Sequence, residues 1–250
     1  MLNFLKRRWW LLLLLPLLLV LGFVGWALLG PQPMPEALAA LESDPQVTVQ
    51  QTDWLVFQPA TTSPTTGLIL YPGGRVDERA YAPAAHALAA QGYLVVLVPM
   101  PLNFAVFAPE RASEVVDAFP AIEHWAIGGH SLGGAMAAQF AHDHPDLIDG
   151  LALWASYPPG GASLADQQLA VVSIFGTRDG VAKPEDIEAS RGLLPQDTSW
   201  VAIEGGNHAQ FGWYGPQSGD LQATISREEQ QAQTVAATLA LLQQLDRGGP

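Results

Sequence analysis

The chain has no cysteine, so disulfides and thiolate metal sites are both excluded, and its compartment is left open. Charge is also scarce. Only 14% of the 250 residues are charged against 49% hydrophobic, which excludes a disordered chain and points to one well-packed domain. Basic residues are the scarcest charged group, 11 against 24 acids; three of the 11 lie at 6–8, leaving eight and a net −16 for the remainder. A surface that acidic excludes binding to nucleic acid or anionic lipid through the domain. No internal repeat is visible, and the one biased stretch is the proline-rich segment at 30–35.

One long hydrophobic run is present. Lys6-Arg7-Arg8 precedes Trp9 to Leu29, 21 residues without a charge. As a helix this run spans about 30 Å, the thickness of a bilayer's hydrocarbon core. Trp9, Trp10 and Trp26 sit near its ends, where interfacial aromatics belong, and no Lys or Arg follows until Arg75. The expectation is a transmembrane signal anchor over 1–30, a linker over 31–45, and an extracytoplasmic domain over 46–250. A cleaved signal peptide is the competing reading, disfavoured by the length of the run and the prolines behind it.

Beyond the linker, Val47–Gln51 and Trp54–Gln58 read as paired antiparallel strands. Strand-like runs then alternate with helical ones. The strands are Gly67–Tyr71, Tyr93–Val98, Trp125–Gly128, Leu151–Trp154, Val171–Phe175 and Trp200–Ile203. The helices are Tyr81–Gln91, Arg111–Phe119, a small-residue helix from Ala135, Pro184–Leu193 and Arg227–Leu245. Such alternation predicts an α/β class, a mostly parallel sheet with helices on both faces. The stretch between the strands ending at Ala155 and starting near Ala170 is too short for a cap domain.

The chemistry is carried by Gly129-His130-Ser131-Leu132-Gly133, set between a strand and a helix. In that context G-x-S-x-G is a nucleophile elbow, a turn sharp enough to need glycine on both sides of the serine. A serine hydroxyl needs a base to take its proton and a carboxylate to orient that base; behind a nucleophile elbow of this kind the partners follow in the order Ser, acid, His, each on a loop after a strand. Of six histidines, His208 in Gly205-Gly206-Asn207-His208 follows the last strand and fits the order. His86 and His124 occupy ordinary positions, and His130 is expected to pack or hydrogen-bond locally. His142 and His144, flanking Asp143 near Asp146, read as a solvated helix end rather than a metal site. Asp179 in Gly176-Thr177-Arg178-Asp179-Gly180 follows a strand's C-terminal end; Asp149, Asp166 and Asp186 lie off the right strand ends. Two backbone N–H groups are needed for an oxyanion hole: that of Leu132, and one from the turn Pro72-Gly73-Gly74-Arg75, with Gly74 favoured over Arg75. The apolar stretch Met100–Phe107, and Phe211, Trp213 and Tyr214, read equally as substrate pocket or as core.

These four motifs, in this order, resemble the α/β-hydrolase family, specifically small capless serine hydrolases related to dienelactone hydrolases. The resemblance runs from about Thr66 to the C-terminal helix, with Pro72-Gly73 where many relatives have His-Gly. It implies Ser131 as nucleophile, Asp179 as acid, His208 as base and acyl-enzyme chemistry with no cofactor. The expected activity is hydrolysis of small-molecule carboxylic esters. The alternatives are a thioesterase or peptidase using the same triad, or a catalytically silent domain binding a ligand or partner at the cell surface.

Overall fold

The computed structural model describes residues 11–248. At its centre is an eight-stranded sheet. Its strands are β1 (Val47–Gln51), β2 (Leu55–Pro59), β3 (Thr66–Tyr71), β4 (Leu94–Leu97), β5 (His124–His130), β6 (Gly150–Trp154), β7 (Ala170–Gly176) and β8 (Ser199–Ile203). The spatial order is β1-β2-β4-β3-β5-β6-β7-β8. β1 and β2 form an antiparallel hairpin, β2 runs antiparallel to β4, and every later pairing is parallel. The expected mostly parallel sheet is therefore present.

Alternation within the strands builds two cores. Leu68 and Leu70 of β3 point to one face, Ile69 and Tyr71 to the other. The first face is covered by α3 (Ala82–Ala89) and α7 (Arg227–Asp246), which contributes Leu241, Leu242 and Leu245. The second is covered by α4 (Arg111–Ala118) and α5 (Leu132–Asp143), with Val115 and Phe140 fully buried. Burial on both faces is why the inner strands are continuous apolar runs rather than alternating ones.

Topology places the site. From β3 the chain moves outward to β4, then returns to β5 on the opposite side of β3. Loops leaving the C-terminal ends of β3 and β5 diverge there and open a crevice, where ligands bind in open α/β sheets. The turn after β3 and Ser131 after β5 face each other across it.

Several boundaries differ from expectation, among them the elbow helix, which begins at Leu132 rather than Ala135. β5 continues two residues past Gly128, through His130, because Gly129 and His130 still pair with Leu153 and Trp154 of β6. The helix expected over Pro184–Leu193 ends at Ala189 as α6 (Pro184–Ala189) and passes into a 3₁₀ turn at Arg191–Leu193.

The N-terminal segment differs more. Its described part is α1 (Leu11–Leu28), followed by the short α2 (Pro35–Ala39). Among the described residues no helix is long and apolar enough to cross a membrane. Lys6-Arg7-Arg8, Trp9 and Trp10, which the anchor reading also uses, lie outside the described residues.

Candidate active site

Ser131 occupies the single-residue corner between β5 and α5, with φ 53° and ψ −124°. That conformation costs a non-glycine residue roughly 1–3 kcal/mol. The surroundings hold it there. Ser131 donates its N–H to the Trp154 carbonyl at 2.9 Å, and its own carbonyl accepts from Ser156 Oγ at 2.7 Å. The glycines are needed because backbone is already in contact: a Cβ on Gly129 would lie 2.6 Å from Gly134 N.

Asp179 and His208 are brought together. His208 Nδ1 and Asp179 Oδ2 are 2.8 Å apart, both side chains wholly buried. The other carboxylate oxygen of Asp179 accepts from the N–H groups of Val181 and Ala182, each at 2.8 Å. An ionised carboxylate can accept on both oxygens, so this buried charge is fully partnered. His208 Nε2 is buried with no hydrogen-bond partner; Ser131 Oγ does not bond it. Ser131 nonetheless shares a cavity of about 280 Å³ with Val181 and Ala182, the residues that hold Asp179. Leu132, Ala135 and Tyr157 complete its mostly apolar wall.

The turn after β3 leaves one N–H group free. Gly73 donates to the Tyr81 hydroxyl at 3.0 Å, and Arg75 donates to the Asn103 carbonyl at 2.7 Å. Gly74 N–H has no acceptor among the described residues, and neither does Leu132 N–H at the first turn of α5. The two residues are adjacent: a Cβ on Gly74 would sit 3.3 Å from Leu132 Cδ2. Of the two donors weighed in this turn, Gly74 is thus the one still available and Arg75 is not.

Other expectations resolve individually. His130 bonds locally, Nδ1 to the Tyr81 hydroxyl at 2.8 Å. Burial holds its pKa well below the usual histidine value; the charge of the neighbouring His208 acts in the same direction and the His208 backbone opposes it. Burial also keeps Tyr81 protonated. With the Tyr81 oxygen accepting from Gly73, its proton is available to His130 Nδ1. The His130 and His208 rings lie 4.4 Å apart, so the Gly73–Tyr81–His130 chain runs from the turn after β3 to the side of His208. Phe211, Trp213 and Tyr214 are core residues, and Met100 and Ala105 are buried whereas Phe107 is exposed. His142 bonds the Ser163 carbonyl and His144 bonds Glu110. Asp149 bonds Trp125 N–H and His124 at the start of β5, the opposite end of that strand from Ser131.

The neutral His130 makes stability pH-dependent with a definite sign. Its folded pKa lies below the ordinary 6.5, so under acid the unfolded chain takes up a proton that the folded chain refuses. This contribution is complete above pH 6.5 and is lost as pH falls below it, at up to about 1.4 kcal/mol per pH unit. Urea titrations over that range should show the loss, and His130→Gln should flatten it. An unchanged slope in the variant would remove His130 as its origin.

Three supports escaped the sequence reading. Gln230 of α7 clamps Asn207, accepting its N–H at 2.9 Å and donating to its carbonyl at 2.7 Å. Asp220 ties the acid and histidine loops together, accepting from Gly180 N–H at 3.0 Å and Ala209 N–H at 2.8 Å. Ser156 secures the elbow.

The family model described as the alpha/beta hydrolase family matches residues 67–232. No curated protein matches. Among solved structures, a predicted CIB-like hydrolase from Thermoplasma acidophilum is similar at 17% identity and a TM-score of 0.60, covering 78% of this chain and 99% of its own. An esterase domain from Rhodothermus marinus is similar at 12% identity and a TM-score of 0.56, covering 78% and 97%. An alpha/beta hydrolase enzyme from a sediment metagenome of the Mar Chica lagoon is similar at 18% and 0.52, covering 65% and 89%. At these identities the likeness is one of fold. The match over 67–232 spans about two thirds of the chain and all four site loops, and on it this chain belongs to the alpha/beta hydrolase family.

Proposed function

We propose that the chain is a serine hydrolase that cleaves carboxylic esters through an acyl-enzyme on Ser131. The observation that carries this reading is the buried, fully partnered Asp179–His208 pair, whose one unsatisfied atom is His208 Nε2. Burying an unpartnered imidazole nitrogen is unfavourable and calls for an explanation, and for His208 Nε2 the cavity that Ser131 shares with the Asp179 loop supplies one. Here that use is to take the Ser131 proton as Oγ attacks the ester carbonyl. Asp179 holds the Nδ1 proton and stabilises the imidazolium formed. The carbonyl oxygen becomes an oxyanion between the free N–H groups of Leu132 and Gly74, where the positive end of α5 adds to its stabilisation. The C–O bond breaks, the alcohol leaves with the proton from His208, and water repeats the sequence to release the acid.

The esterase domain from Rhodothermus marinus has a similar fold, which favours esters over thioesters or amides as the first substrates to assay. Anchoring to a membrane by the N-terminal helix, with the domain on the extracytoplasmic side, belongs to the same proposal. It rests on Lys6-Arg7-Arg8 and the uncharged run behind them.

One experiment tests both parts. Cells expressing the full chain are treated with a fluorescent fluorophosphonate and fractionated. The wild type should label, in the membrane fraction, and Ser131→Ala should not label while remaining folded. Equal labelling of both, or none of a folded wild type, would overturn the serine chemistry and leave a silent binding domain. Label confined to the soluble fraction would overturn the anchor alone.

A further inference from the structure

The apolar N-terminal helix and the β4–α4 loop meet beside the turn that carries Gly74. Phe23 and Trp26 of α1 lie 6.2 and 6.0 Å from Phe104, centroid to centroid, and Phe107 closes the group at 5.9 Å from Phe104. Phe104 is the inner ring: a Cβ on Gly74 would lie 3.5 Å from its Cε1 and 3.3 Å from Leu132 Cδ2. The other three rings are open, Phe23 41%, Trp26 50% and Phe107 52% exposed. Apolar side chains thus lead from Leu132, past Gly74, to the four rings and the exposed leucines of α1, with the Arg75 guanidinium beside Trp26.

The helix is fixed in this position. The Arg75 guanidinium stacks 4.0 Å over Trp26 and donates to the carbonyls of Trp26 at 2.9 Å and Leu29 at 3.4 Å. Those are end-of-helix carbonyls with no partner of their own, so Arg75 caps α1 with the residue next to Gly74. Gly30 crosses Arg75 so closely that a Cβ would collide with the Arg75 carbonyl. Farther on, Met34 N–H bonds the Trp213 carbonyl at 2.8 Å.

We propose that this four-ring surface is the acyl-binding groove, and that the substrates are esters of long-chain fatty acids, with α1 forming one wall. The proposal rests on the serine-hydrolase reading. Half-open aromatic rings beside a reaction centre, on an otherwise acidic domain, offer a surface that the hydrocarbon chain of a substrate can cover. The cavity beside Ser131, about 280 Å³, suits a compact leaving alcohol. The ring surface is exposed and continues onto the helix whose leucines are also exposed. Each methylene laid on it adds to binding, so selectivity rises with chain length.

The test uses full-length protein in nonionic micelles and p-nitrophenyl esters that differ only in acyl length. The quantity read is the ratio of kcat/KM for laurate to that for acetate. In the wild type the ratio should exceed ten, and Phe23→Ser and Phe107→Ser should each lower it about tenfold. Leu147→Ser, at an exposed apolar position that is not one of the four rings, should leave it where it was. Substrate partition into micelles is common to all four proteins, so a change in ratio reads the groove. Circular dichroism of each sample reports that the variant is folded. A wild type that favours acetate, or a ratio the ring substitutions do not move, overturns the groove. Should no ester turn over and no fluorophosphonate label appear, the serine-hydrolase reading itself fails and the groove falls with it; labelling tells the two failures apart.

Discussion

Asp179→Asn is expected to lower kcat for ester hydrolysis by about a thousandfold to ten-thousandfold while leaving the domain folded. The size of the effect follows from what each oxygen of Asp179 does. One accepts two backbone N–H groups, from Val181 and Ala182, and the other faces His208 Nδ1. An asparagine has only one acceptor atom to serve both sides. Turned toward His208, its carbonyl would leave the amide NH₂ pressed against two N–H donors. Turned toward Val181 and Ala182, it keeps two hydrogen bonds and presents NH₂ to His208, and this second arrangement wins. Nδ1 must then accept, which moves the imidazole proton to Nε2, the atom that has to receive the proton of Ser131. The base is present, in position and in the wrong tautomer.

Asp179→Ala separates this from simple loss of packing. Three donors, two of them buried, lose their acceptor at once, and the expected cost is about 3 kcal/mol of stability in addition to the lost rate. Steady-state kinetics on a single ester and urea titration of both variants distinguish the cases. A kcat for Asp179→Asn within tenfold of wild type would show that Asp179 does not set the tautomer of His208, and the mechanism would need another orienting group.

The same geometry separates what local sequence could reveal from what it could not. The elbow was legible because its constraint is local: a serine on a one-residue corner requires the flanking glycines, and Gly129 and Gly133 lie two residues to either side of it in the chain. Asp179 and His208 were legible through order, each lying just past an apolar run that had to be a strand. Gln230 was not. It sits in a polar stretch of α7 that reads as solvent-facing, and only the docking of α7 beneath the histidine loop buries it against Asn207. Asp220 belongs to an irregular loop with no periodicity, and its two acceptors meet donors some 40 and 11 residues distant. Tyr81 and His130 form a pair across 49 residues. The apolar run at the N-terminus announced a helix plainly, but its partners, Arg75 and Phe104, are set by how that helix lies on the domain. Supporting contacts are long-range and chemically ordinary, which is why composition and spacing pass over them.

Gly133→Ala should be among the most damaging single-methyl additions in the chain. Replacing glycine by alanine within a helix ordinarily stabilises it, by about 0.4–1 kcal/mol. Position 133 lies in the first turn of α5 with its Cα against the end of β3. A Cβ there would collide with the carbonyl oxygens of Tyr71 and Pro72 and lie 2.7 Å from the Tyr71 carbonyl carbon. All three are backbone atoms, and Tyr71 is paired in the middle of the sheet, so no flexible side chain can yield. Relief comes only by moving the start of α5 away from β3. That costs about 3 kcal/mol, which outweighs the helical gain and lowers Tm by roughly 6–12 °C. The same movement carries Leu132 N–H away from Gly74 N–H, so the folded fraction should also lose rate, about tenfold or more. Gly160→Ala is the matched control, since a Cβ there meets nothing within 4 Å and should shift stability by less than about 0.5 kcal/mol. Thermal melts of the two variants beside wild type, with ester turnover measured well below either Tm, decide the matter. Equal melting of Gly133→Ala and Gly160→Ala would mean that α5 does not press on β3, and that the spacing between the two N–H donors is set by something other than glycine at 133.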